Sequence, residues 1–450
     1  MNISTVLRRY AIALLAVTAT PLLFGQASST NVLHATTYNS HFPENVTGGG
    51  EAWNGMGVDH DGNIYYVLDS GSVDVSGQVY TLNVKTKAVT HLGDLSEIVG
   101  ESKMKAVAQG KSHVNFIEAN GKMYFTTHLG YYAHVEGVEA AGAPPPGYLP
   151  YQGGHFVDYD LKTGKFEDLL KAPGGEGIIT FNMDTQRGRL YGITWPTGRF
   201  ISYDLKSKQF KDYGTLFHGG EIGKVGDSYR GICRRILVDP RDGSAYFTTG
   251  EGTIHQYHYD TDKVDDVVGI SLKKDYFGQQ DFTSPGMAYN WRAGVWNPAD
   301  NSIYAINGRS GYLFRVDPKA PSVEVLDRIS SEASKKTGAY DPFNYGYMGF
   351  TLGPDGHTLY YLTPAPVDGP APARANAAPG AAPRRQSGTH LVTYDITSRK
   401  YMDHGEVILE DGAHVAAPQS IAIGLDGTVY TTSYVTRNGK RGIELISFHP

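Results

Sequence analysis

The sequence predicts an all-β fold, and three observations carry that expectation. Glycine and tyrosine are both abundant, with Gly 55 and Tyr 31 in 450 residues, which pairs turn formers with strand formers. One phrase recurs along the chain: an apolar strand, a tight polar turn rich in Asp, Asn and Gly, then a strand carrying an aromatic and Thr. A second phrase follows most copies of the first, a strand ending in Tyr-Asp, a polar turn, and another strand.

The first phrase occurs at 58–69, 117–128, 183–195, 238–250, 296–308, 352–364 and 423–434, seven copies in all. The second stands at 156–169, 200–214, 256–267 and 391–405, with weaker copies at 79–93 and 313–327. Each unit therefore reads as four antiparallel strands over about 40 residues or more, the length of one propeller blade. After the seventh hairpin only one strand remains, near Ile443 to Phe448, and Val32 to Tyr38 can supply the missing fourth. The expectation is a seven-bladed β-propeller of four-stranded blades, closed by an N-terminal strand joining the C-terminal blade. It forms a single domain over 28–450. Insertions break the rhythm at 130–153, 269–285, 329–346 and 365–389. The last is Pro/Ala-rich and reads as a flexible excursion; the first is aromatic and better suited to function.

Residues 1–27 read as a secretory signal: Arg8 and Arg9, an apolar run from Ala11 to Phe24, then Gly25-Gln26-Ala27. Export to the periplasm or beyond follows. No later run is long and apolar enough for a membrane helix. The formal net charge of -6 argues against nucleic acid as a partner. The single cysteine, Cys233, rules out a disulfide framework and is expected to be buried.

In a propeller the first strand of each blade lines the central channel, so the start of that strand and the end of the second meet at one mouth. Asn120-Gly121 is a type I′ turn signal that pairs Ala119 with Lys122 and would set His113 opposite His128. Aligned positions elsewhere include Trp53, Asp69, Trp195, Cys233, Trp291 and Tyr347, with Tyr229, Arg230, Arg234, Arg235 and Arg292 close by. Arginines that grip an anion and aromatics that stack on a ring suit a sugar bearing an acidic group. Trp53 and Trp291 read as packing between blades ahead of platforms, since such interfaces consume large aromatics, and one of Arg234 and Arg235 reads as an inter-blade ion pair. Tyr131 and His134, in the aromatic insertion, and His155 join Trp195, Trp291 and Arg292 as candidate substrate contacts.

No nucleophile elbow, zinc-protease helix, phosphate loop or dinucleotide fingerprint stands in its required context. The Asp residues of the Tyr-Asp phrase recur in unit after unit, so they read as turn residues and not as catalytic carboxylates. His, Tyr and Arg around a channel mouth match β-elimination on a uronic-acid polysaccharide, where a cation quenches the carboxylate and a neutral base takes the C5 proton.

The block SHVNFIEANGKMYFTTHLGYY, with His113 and His128, and the later SYRGICRR block resemble the propeller-type polysaccharide lyases, most closely the ulvan lyases. That resemblance implies His113 and His128 as base or carboxylate-neutralising residues, Tyr229 as acid or base, and Arg230 as carboxylate binder. His134 is the alternative second histidine, and Tyr213 and Tyr131 are alternatives to Tyr229. Catalysis then needs no cofactor, while a structural metal such as zinc or calcium would fall to His218, Cys233, His255 and His258. The expected partner is an acidic polysaccharide or oligosaccharide, met by a monomer. Two other readings stand beside this one: a metal-dependent oligogalacturonate lyase-like site at His404, His414 and Gln419, and a non-catalytic carbohydrate- or protein-binding propeller.

Overall fold

The computed structural model describes residues 31–38, 52–135, 137–337, 349–366, 387–437 and 440–450. The secretory-signal reading at 1–27, Tyr347 and most of the Pro/Ala-rich insertion lie outside them. Strands dominate, and the recurrent phrases become sheets as expected.

Five sheets have four antiparallel strands each, in simple up-and-down order. The first runs Met56–Val58, Ile64–Leu68, Gln78–Leu82 and Val89–Asp94. The second runs Ile117–Ala119, Lys122–Thr126, His155–Asp160 and Lys165–Lys171. The third occupies Gly177–Asp184 to Phe210–Thr215, the fourth Leu237–Val238 to Lys263–Asp266, and the fifth Trp291–Asn297 to Ser322–Arg328.

Nine further strands form one sheet. Val32–Thr37 is its hinge: Thr36 and Thr37 pair antiparallel with Ser447 and Ile446, while Val32 to Ala35 pair parallel with Glu406 to Leu409. The parallel half was not expected from the repeat. It covers the outer edge of Lys400–Leu409, whose backbone groups would otherwise be unpaired.

Innermost strands touch in succession. Met56–Val58 meets Ile117–Ala119, and Gly177–Asp184 meets both the second sheet and Leu237–Val238. Leu237–Val238 meets Trp291–Asn297, which meets Phe350–Leu352, and Ala422–Ile423 meets Met56–Val58. The architecture is all-β and propeller-like.

The repeated residues explain why. The aromatic of the first phrase is buried between sheets at Tyr66, Tyr191, Tyr246, Tyr304, Tyr361 and Tyr430. Burying rings of this size is the main stabilising term of such a core. The aspartates hold turns: Asp59 accepts from the N–H of Asp61 and Asn63, Asp160 from Lys162 and Thr163, and Asp204 from Lys206 and Ser207. These are Asx-type turns that cap each hairpin locally.

The aromatic insertion contains a two-stranded hairpin, Tyr132–Val135 with Val138–Ala141, which pairs with no other sheet.

Candidate active site

The second sheet builds the site. Asn120 and Gly121 both take positive φ, 51° and 73°, as a type I′ turn requires. Ala119 therefore faces Lys122 and Ile117 faces Tyr124. The ladder stops there because the Phe116 N–H turns away to the Met56 carbonyl oxygen of the first sheet. It resumes at Lys111, whose backbone bonds that of His128 in both directions, at 2.9 and 2.7 Å. The expected His113–His128 pairing is thus corrected: Lys111 stands opposite His128, and His113 lies in the segment that leaves the ladder.

The two imidazoles still meet, with centroids 6.3 Å apart and planes at 78°. His113 lies parallel to Trp53 at 6.4 Å. His128 meets the edge of Trp195 at 5.7 Å and lies 6.1 Å from Tyr132, which carries the Lys111 ammonium 4.3 Å from its ring centre. Its other side rests on Gly177, where an added β-carbon would run into Nδ1. Glu221 anchors the far wall by accepting the Trp195 indole N–H at 2.8 Å and the Ile232 N–H at 2.9 Å, and by pairing with Arg234 at 2.7 Å.

Burial is close to complete: His113 is 7% exposed and His128 0%. Nδ1 of His113 and both ring nitrogens of His128 have no hydrogen-bond partner among the described residues. Desolvation, followed by the charges of Lys111, Arg292 and Arg234, holds the His113 pKa well below the usual histidine value. The same desolvation, with Lys111 and Arg234, does so for His128. Both rings are neutral at neutral pH, the state that can accept a proton. Burial raises the Tyr132 phenol well above its ordinary value, so it stays protonated. Arg234, Glu221 and Tyr229 also line a cavity of about 250 Å³, completed by His134, Met287 and Arg309 among others.

His113, His128 and Trp195 are thus brought together, with Tyr229 and His134 on the adjoining cavity and the Arg292 charge acting on His113. Arg230 is not brought in. It pairs with Glu251, donates to the carbonyl oxygens of Asp227 and Tyr229, and stacks on Phe282. Arg234 is the arginine of this block whose charge acts on both histidines, and its side chain donates to the Ile232 carbonyl oxygen and pairs with Glu221. Tyr131 packs against Gly142, and its neighbour Tyr132 takes the place at His128. Trp291 is fully buried and donates its indole N–H to the Arg235 carbonyl oxygen, a packing role. Tyr213 bonds Asp262 and Ser202 at the outer strand of the third sheet.

His155 begins the third strand of the second sheet, where its imidazole bonds Asp168 at 2.8 Å and Glu101 at 3.3 Å. It belongs to that ion network and not to the pocket.

The metal reading does not fit the donor set. Among the described residues no three of His, Cys, Asp and Glu converge on a point that could hold an ion. Cys233 is buried and its thiol sits against the Arg235 carbonyl and Thr248; His255 bonds Asp266, and His258 faces Asp265 from the opposite side of the strand. His218 joins none of them. The other proposed set disperses too: His404 bonds Thr393, His414 bonds Glu406, and Gln419 accepts the Ala52 N–H.

Sequence reasoning passed over Lys111, Tyr132 and Glu221. Tyr132 stood one residue from a named candidate. Glu221 lies in a short helical turn between repeats, where no pattern singles it out.

No family model and no curated protein matches the chain. Solved structures similar to it include a chain of the mitotic checkpoint complex, 10% identical, covering 98% of this chain and 99% of that one at a TM-score of 0.49. Another is the extracellular domain of a protein described as a hybrid two-component system from B. thetaiotaomicron, 11% identical, with a TM-score of 0.47. It covers 92% of this chain, which spans only 39% of that one. An auxiliary nutrient binding protein from Bacteroides thetaiotaomicron is 13% identical over 92% of this chain and 76% of its own, at a TM-score of 0.42.

Proposed function

We propose that the chain is a closed seven-bladed propeller, exported, whose His113–His128 pocket cleaves a uronic-acid-containing polysaccharide by β-elimination. The ring is supported by the succession of touching inner strands and by Val32–Thr37 pairing with Lys440–Phe448. The single observation that carries the chemistry is a pair of buried neutral imidazoles faced by three cations. That is what elimination next to a carboxylate asks for.

In this reading Arg234 and Arg292 neutralise the uronate carboxylate, which acidifies the C5 proton. His113, the more accessible ring, takes that proton. The C5–H electrons form the C4–C5 double bond, the C4–O bond breaks, and the leaving oxygen takes a proton from a tyrosine, with Tyr229 on the cavity wall best placed. His128 supports His113 from behind, since it is wholly enclosed by Trp195, Tyr132 and Gly177.

The test is incubation with a panel of ulvan, pectate, alginate, glucuronan and heparin-type chains, with and without chelator, following ultraviolet absorbance of the new double bond. One polymer is expected to yield unsaturated product regardless of chelator. H113A should abolish the product while leaving glycan binding intact. Silence on every polymer would overturn the lyase reading in favour of a binding propeller.

A further inference from the structure

Arg235 connects three sheets. Its Nη1 donates to Asn115 Oδ1 at 2.7 Å and its Nε to the Gly294 carbonyl oxygen at 3.0 Å, while its own carbonyl accepts the Trp291 indole N–H at 2.8 Å. Asn115 belongs to the approach to the second sheet, Arg235 to that of the fourth, and Gly294 to the first strand of the fifth. The third sheet lies between the second and fourth, so the Arg235–Asn115 bond spans the space that the inner strands surround.

The positions in sequence matter as much as the bonds. Asn115 is two residues after His113, Gly294 two after Arg292, and Arg235 one after Arg234. One guanidinium therefore ties together the backbone segments that present the pocket's base and two of its cations. A planar fork with donors in fixed directions can do this, whereas a lysine ammonium offers a single point. The arrangement is not explained as an ion pair, because among the described residues the guanidinium meets only neutral oxygens. Burial lowers its pKa to about 10, which still leaves it charged at neutral pH.

The segment carrying His113 also needs such a tie. It leaves the hairpin ladder between Lys111 and Ile117, so strand pairing does not fix its position. Besides the Phe116 N–H bond to Met56, the Asn115 side chain is its anchor across the channel.

We infer that Arg235 is a positioning residue, setting the spacing of His113, Arg234 and Arg292 through its bonds to Asn115 and Gly294. This rests on the elimination reading for its catalytic consequence, but not for its structural one. The test compares R235M, N115L and N115D with the unaltered protein. Methionine keeps the length and removes a costly buried charge, so R235M should fold. Aspartate at 115 keeps an acceptor for the guanidinium, and leucine removes it.

On the substrate that the panel identifies, R235M and N115L should each lose kcat by roughly a hundredfold, the scale of a displacement of about 1 Å, with KM changed far less. Their double variant should be no worse than either, and N115D should recover most of the rate. The second readout is the His113 imidazole signal by NMR, shifted in R235M and N115L and restored in N115D. Unchanged turnover and an unmoved His113 signal in R235M, or N115D behaving as N115L, would overturn the proposal. If no polymer is cleaved, the elimination reading fails and the NMR pattern alone decides the tie.

Discussion

His128 and His155 stand close together in one sheet, at the end of one strand and the start of the next, and the His155 N–H bonds Thr127 beside His128. Both are buried to within a few per cent of full enclosure. Their electrostatics are opposite. His128 has cations nearby and no hydrogen bond to its ring among the described residues, so desolvation and repulsion depress its pKa. For His155 desolvation also acts against the charge, but the hydrogen bonds and charges of Asp168 and Glu101 together outweigh it and raise the pKa. Burial alone therefore does not set the state of a histidine; its partners do. One ring is drawn toward its charged form by the partners that hold structure, and the other is kept neutral at a cost to structure. That division is what separates a site from a scaffold here.

The comparison can be broken most forcefully at His155. H155A removes one partner of the buried Glu101 carboxylate, leaving Gln109 and Lys171, and should cost about 1.5–3 kcal/mol, read by urea denaturation. Removing His128 should do the reverse: H128M deletes two unpaired nitrogens, so stability should stay within about 1 kcal/mol of the unaltered protein while turnover is lost. Comparable losses of stability in both variants would erase the distinction. An intermediate case is G177A, whose new methyl group must displace the His128 ring; overpacking predicts a loss of about 1–3 kcal/mol together with lost turnover.

The pH dependence sharpens the contrast. Because the folded pKa of His113 and His128 is depressed, their contribution to stability is intact above the unfolded value of 6.5 and falls as the pH drops below it. His155 is raised, so its contribution is full below 6.5 and is lost as the pH climbs through its folded pKa. Thermal melts of H128M and H155A across pH should flatten opposite limbs. The smallest effect belongs to K111M. Taking away one cation should move the acid limb of the activity profile to higher pH by less than about one unit, visible as a parallel shift.

Much of this was legible in the sequence, and the boundaries of legibility have physical causes. Turn chemistry at Asn120-Gly121 set the hairpin, and periodic aromatics and Tyr-Asp phrases marked the sheets. The register failed where Phe116 exchanged its hairpin partner for the neighbouring sheet, an event decided by a contact between repeats. The same limit explains the arginines. Arg230 and Arg234 share one short segment, and only the positions of Glu251, in another loop, and Glu221, earlier in the same connection, decide which guanidinium turns toward the histidines. Tyr131 and Tyr132 differ only in the side of the chain they occupy, which a loop without period does not reveal.

The strand Val32–Thr37 has a consequence for how the molecule comes into being. Its partners are Glu406 to Leu409 and Ile446 to Ser447, so these contacts close loops of nearly the whole chain. Such pairings are the slowest to form, since their entropy must be met before any contact rewards it. A chain emerging amino end first must carry the antiparallel half of this strand unpaired until Ile446 and Ser447 arrive. Linking Val32–Thr37 directly after Phe448 and opening the chain at a surface turn elsewhere would convert this pairing into a local one. Such a permuted protein should refold faster while keeping the same sheets.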